Sequence, residues 1–188
     1  MMRAFMFVIG TVLLASSASA QMPGGAGGQT IGLAASLQRS YAGIKQNLTE
    51  AADKMADADY GYRPSPEIRP YGGQFGHVAN AHYGLCSALK GEANPMMGKD
   101  LEKLTTKPEF VKALADSFAY CDGAVAALTD ENALQMVKQG PNQIARAAVV
   151  ANLIAHDNEE YGVVGVYLRT KSMVPPSTER MMRGRGGR

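Results

Sequence analysis

The chain contains three histidines, His77, His82 and His156, and the last of them precedes Glu160 by four residues in the stretch AHDNEEYGVVGVYLR. An imidazole and a carboxylate at that spacing share one face of a helix, where both can point at a single divalent ion. The same pair also occurs on solvated faces as a hydrogen bond or a charge contact. A metal site needs a third ligand from another segment, and QFGHVANAHYGLCSALKG offers both His77 and His82. Periodicity nominates His82, which falls on the apolar stripe, although a lone histidine on such a stripe is commonly a hydrogen-bonded core residue. His77 lies off the stripe, beside Gly73, Ala81 and Gly84. Glu159 is the lesser candidate, because Val163, Val164 and Tyr167 place the core face elsewhere.

Other chemistries have no signature. The chain has no HExxH or paired CxxC zinc motif, no GxSxG elbow and no GxxxxGK[ST] phosphate loop. Its methionines form no metal-binding array, with Met96 and Met97 standing alone in a loop. The formal charge of +2 includes Arg3 and a C-terminal cluster of Arg180, Arg183, Arg185 and Arg188, so the body is close to neutral and no nucleic-acid surface is expected.

The elements that must carry these residues begin after a leader. MMRAFMFVIGTVLLASSASA has a basic start, a short apolar run and small residues at Ala18 and Ala20, which reads as a secretory signal peptide over residues 1–20. No later apolar run is long enough to span a membrane, and no cysteine follows the cleavage point for lipid attachment, so an exported protein of the periplasm or exterior, without stable membrane insertion, is expected. Residues 21–30 and the basic Gly/Arg tail, 179–188, lack apolar periodicity and read as disordered ends.

Between those ends four helical patterns occur and no convincing strand alternation. The first carries Leu33, Leu37, Tyr41, Ile44, Leu48, Ala52 and Met55 on one face. The proline-rich DADYGYRPSPEIRPYGG breaks it. The second carries Phe75, Val78, Ala79, His82, Leu85, Cys86 and Leu89 and stops at Gly91. The third runs from about Pro108 to Leu128, and the fourth from near Asn142 until before Pro175 and Pro176. These predict one all-α domain, a four-helix bundle. The connection from about Glu92 to Lys107 is long enough to return along a helix of roughly 30 Å, which allows helices two and three to run parallel.

Parallel alignment puts Cys86 fourteen residues from Gly72 and Cys121 thirteen from Pro108, at one level of the bundle. In an exported chain with two cysteines that favours a disulfide; two buried apolar thiols are the alternative.

The stretches YGGQFGHVANAHYGLCSALKGE and IAHDNEEYGVVGVYLRTKSMVPPS resemble the second and fourth helices of the DinB-like superfamily of bacterial four-helix bundles, over about residues 31–178. The resemblance implies a long crossover between helices two and three, pairing of chains into a homodimer, and a divalent-metal site with one histidine from helix two, in an HxA setting, and two from an HxxxH turn of helix four. Carried over, it places the helix-two ligand at His77, not His82, and the first helix-four ligand at His156; Glu160 stands where the second helix-four histidine would be. Two histidines and a carboxylate are a known ligand set for zinc, nickel, manganese or iron.

Two functions are therefore in view. One is a metal-dependent hydrolase or thiol transferase in which the ion activates water or a small thiol, with His77, His156 and Glu160, the positions that the resemblance implies, as ligands. The other is a non-catalytic bundle that binds a small ligand or serves structurally, with Glu160 paired to a histidine.

Overall fold

A computed structural model describes residues 28–186, so the expected signal peptide and most of the glycine-rich segment lie outside the described residues. The bundle is built from α1 (Leu33–Lys54), α2 (Tyr71–Lys90), α3 (Lys107–Ala126) and α4 (Arg146–Thr170), followed by a short α5 (Pro176–Gly186). A hairpin of β1 (Met136–Gln139) and β2 (Asn142–Ala145) joins α3 to α4.

Local chemistry fixes the helix ends. Gly91 closes α2 with φ +70°, a conformation that costs glycine nothing. Thr106 opens α3 through a reciprocal capping box with Glu109. Between these two ends the crossover includes a 3₁₀ turn, Leu101–Lys103.

Contacts along the helices give their directions. Gly72 faces the Phe110 ring, the His82 Nδ1 is 2.9 Å from Ser117 Oγ, and Cys86 is bonded to Cys121 with a Cα–Cα separation of 5.3 Å. Partners thus advance together, and α2 and α3 are parallel. Gln74 meets Tyr167 while His82 meets Asp157, so α4 runs antiparallel to α2. The Tyr71 hydroxyl donates to the Ala51 carbonyl, 2.5 Å away, which joins the start of α2 to the end of α1. Leu48, Met55, Phe75, Phe118, Leu153 and Leu168 fill the centre with essentially no exposed surface.

Two expectations need correction. Residues 142–145 are a strand rather than the first turn of the fourth helix, because Gln139 pairs with Asn142 across a two-residue loop whose Gly140 adopts φ +58°. The segment from residue 179 is helical through Gly186 rather than a loose tail. It lacks an apolar stripe and is held by polar contacts to α1: Lys54 Nζ lies 2.6 Å from Glu179, and Arg180 bonds Glu50 and Asn47.

Candidate metal centre

The buried stripe of α4 reads Val150, Leu153, Asp157, Glu160, Val164, Leu168. Two carboxylates occupy the middle of an otherwise apolar seam, and burying them is costly unless each finds a cation or donors. Both face α2, and each meets a different histidine.

Glu160, 7% exposed, projects toward His77, with its Oε1 3.7 Å from the His77 Nε2. The His156 Nε2 is 3.2 Å from that same nitrogen. One ligand atom from each of His77, His156 and Glu160 falls within 4.8 Å of the others, the one such grouping among the described residues. Two nitrogens each 2.0–2.1 Å from a tetrahedral ion lie about 3.3 Å apart, close to the observed separation.

His77 is oriented from behind. Its Nδ1 is 2.7 Å from Glu102 Oε1, and Arg69 Nε donates to the other Glu102 oxygen at 2.8 Å. Burial pushes the Glu102 carboxyl up, but the bonds from Arg69 and His77 outweigh it and hold the group below the usual range. Glu102 is therefore an acceptor only, the His77 proton sits on Nδ1, and the Nε2 lone pair faces His156 and Glu160. Glu102 reaches this position because the 3₁₀ turn of the crossover lies directly on α2 at Gly76, where a Cβ would stand 2.3 Å from the Leu101 carbonyl oxygen. Glycine at 76 is thus what admits the supporting carboxylate.

Asp157 supports the other side. Fully buried, it lies 2.9 Å from the His82 Nε2, and the His82 Nδ1 is 2.9 Å from Ser117 Oγ, which donates to the Leu114 carbonyl. Bridging Ser117 of α3 and Asp157 of α4, the His82 ring ties α2, α3 and α4 together. His82 is a satisfied core residue with no exposed surface and no part in the His77 cluster. Asp157 Oδ1 also stands 3.7 Å from His156 Nδ1, too far for a hydrogen bond, and the approach of this acceptor and its charge raises the His156 pKa, with burial opposing. Burial likewise pushes Asp157 up, but the two histidines outweigh it and hold the carboxyl below the usual range.

The fit of a cation follows from what is left over. His77 Nε2, His156 Nε2 and Glu160 Oε1 converge, and Glu160 Oε2 is buried without a hydrogen-bond partner. A metal ion set between these three atoms would be bound by all of them at once. The donor set matches an ion that accepts nitrogen and oxygen together.

Glu159 is exposed and stands outside the cluster, on the rim of a neighbouring cleft of about 520 Å³ that Glu160, Gln74 and Arg69 also line. A larger cleft, about 750 Å³, sits at the far end of α2 beside the hairpin, away from these histidines. The motif reading missed Glu102 and Asp157. Asp157 had a signal, an acid on the buried i, i+3, i+4 stripe of α4, whereas Glu102 had none, since it arrives through a loop.

The comparisons agree with this architecture. Solved structures of DinB-like proteins from Bacillus cereus and Bacillus subtilis superpose with TM-scores of 0.63 and 0.55 at 15% and 16% identity, each over 74% of this chain and 93% of theirs. A conserved protein of Enterococcus faecalis superposes at 0.59 and 15% identity, over 74% of this chain and 96% of its own. At that identity the likeness is one of fold. No curated protein matches the chain. The family model of the DinB superfamily matches residues 41–164, from within α1 to within α4, and the chain belongs to that superfamily.

Proposed function

We propose that the protein is an exported, divalent-metal-dependent hydrolase in which His77, His156 and Glu160 hold the ion. The observation that carries this reading is the convergence of their three ligand atoms within 4.8 Å, with a buried Glu160 oxygen left unpartnered. An ion bound by three protein ligands keeps coordination positions open, lowers the pKa of water and polarises a carbonyl or phosphoryl oxygen. The protein's own groups do the rest. Glu102 fixes the His77 ring through its Nδ1, the Asp157 carboxylate stands 3.7 Å from the His156 Nδ1, and Glu160 Oε2 is buried without a partner. The side chains of His77 and His156 are 27% and 24% exposed, so a substrate can approach them from solvent.

Water is favoured over a thiol as the nucleophile. The Cys86–Cys121 disulfide fits an oxidising compartment, where low-molecular-weight thiols are scarce. Among the described residues no helix is long and apolar enough to cross a membrane. The test is turnover of chromogenic ester, amide and phosphoester substrates by zinc- or manganese-loaded protein, beside chelator-treated protein and a His156→Ala variant. Hydrolysis that follows the metal supports the reading. Equal rates in all preparations, or none, would leave a binding or structural bundle.

A further inference from the structure

The cleft beside Glu160 has a chemical bias that the metal ligands do not explain. Glu67, Glu159 and Glu160 all line it. Its single cation, Arg69, already has its Nε on Glu102, 2.8 Å away. Clusters of surface glutamates are common, but a second observation points the same way from inside the protein.

Gln74 lines this cleft and is only 3% exposed. The Tyr167 hydroxyl has one proton and donates it to the Arg69 carbonyl at 2.6 Å, so it must accept from Gln74, whose Nε2 lies 3.0 Å away. The amide orientation is thereby fixed, and Gln74 Oε1 is a buried acceptor without a partner. Leaving such an atom unbonded is unfavourable, and a ligand donor reaching it would be rewarded accordingly. Ile68 and Val163 line the same cleft and give an apolar wall suited to an alkyl stem. A volume of about 520 Å³ lies within the range of small-molecule sites.

We propose that this cleft binds a primary alkylammonium group, with the ammonium donating to Gln74 Oε1 beside the Glu159 and Glu67 carboxylates and the carbon chain lying along Ile68 and Val163. An ammonium is both the cation that the carboxylates attract and the N–H donor that Gln74 lacks. A carboxylate ligand would meet three like charges and another acceptor. The inference deepens the proposed function by naming the substrate class, an amine-bearing molecule, and shares with the metal centre only Glu160.

The experiment is titration of n-hexylamine, n-hexanol and hexanoate into chelator-treated protein and into zinc-loaded protein at neutral pH, followed by the Gln74 side-chain amide resonances and by calorimetry. Expected is saturable binding of hexylamine, with hexanol and hexanoate at least tenfold weaker, in both preparations. Glu159→Gln, an exposed change that leaves the core intact, weakens hexylamine about two- to fivefold. Gln74→Leu weakens it by about tenfold or more. Equal or preferred binding of hexanoate, no hexylamine binding at millimolar concentration, or affinity unmoved by Glu159→Gln would overturn the proposal. Discrimination that survives in the chelated protein stands even if no metal is ever bound, so the two readings can fail separately.

Discussion

Glu102 Oε1 lies 2.7 Å from the Nδ1 of His77, and the opposite nitrogen of that ring faces His156 at 3.2 Å. A residue of the crossover thus determines which lone pair a residue of α2 offers to α4. If this contact supports metal binding, Glu102→Gln lowers zinc affinity about 10- to 100-fold with the helical content unchanged. Chelator competition measures it, and an affinity equal to the parent's would show that His77 needs no such support.

Gly76 tests the same contact from the backbone. A Cβ there would stand 2.3 Å from the Leu101 carbonyl, so Gly76→Ala must displace the turn that carries Glu102. Expected are a loss of about 1 to 3 kcal/mol in urea unfolding and a drop in metal affinity comparable to that of Glu102→Gln. Unchanged stability would mean that the crossover yields freely.

In the proposed centre, protons and a metal ion would compete for His156. Asp157 raises its pKa above the ordinary 6.5, and a ligand imidazole must be deprotonated. Metal affinity is therefore weakest at low pH, rises as pH increases through the raised value, and levels off above it. Asp157→Asn removes the charge that holds the proton and moves the midpoint to lower pH. Zinc competition between about pH 5.5 and 8.5 reads both midpoints; the same midpoint in parent and variant would contradict the assignment.

The disulfide closes a loop with a sequence separation of 35 between Cys86 and Cys121. Replacing both by alanine lowers unfolding stability by about 3 to 4 kcal/mol on the chain-entropy account. Metal affinity should be kept, since neither cysteine touches the ligand cluster. Urea unfolding of the double variant beside the parent checks this, and a difference within error would mean that the crosslink constrains the unfolded chain very little.

Helices with one apolar stripe were legible in the sequence because burial imposes a 3.6-residue period, and the α2 and α4 residues brought together fall within those helices. The hairpin was not, since strands of four residues show too little alternation and Asn142–Ala145 can equally begin a helix. Nor was α5, whose attachment depends on pairs such as Lys54 with Glu179, far apart in the chain. The choice between His77 and His82 shows where pattern reading stops. The apolar stripe nominated His82, yet burial made it a bridge between Ser117 and Asp157, and the histidine off the stripe retained the exposure a ligand needs. Within the sequence, only the family resemblance points to His77.

The most direct test of the metal centre is elemental analysis of protein purified without chelators or a histidine tag, beside His156→Ala and Glu160→Ala. The arrangement predicts about one divalent ion per chain in the parent, and in both variants a loss of affinity on the order of a hundredfold or more, beyond the effect of removing a supporting residue. No metal in the parent after incubation with zinc, nickel, manganese or ferrous iron, or full occupancy retained in both variants, would contradict a site built from His77, His156 and Glu160.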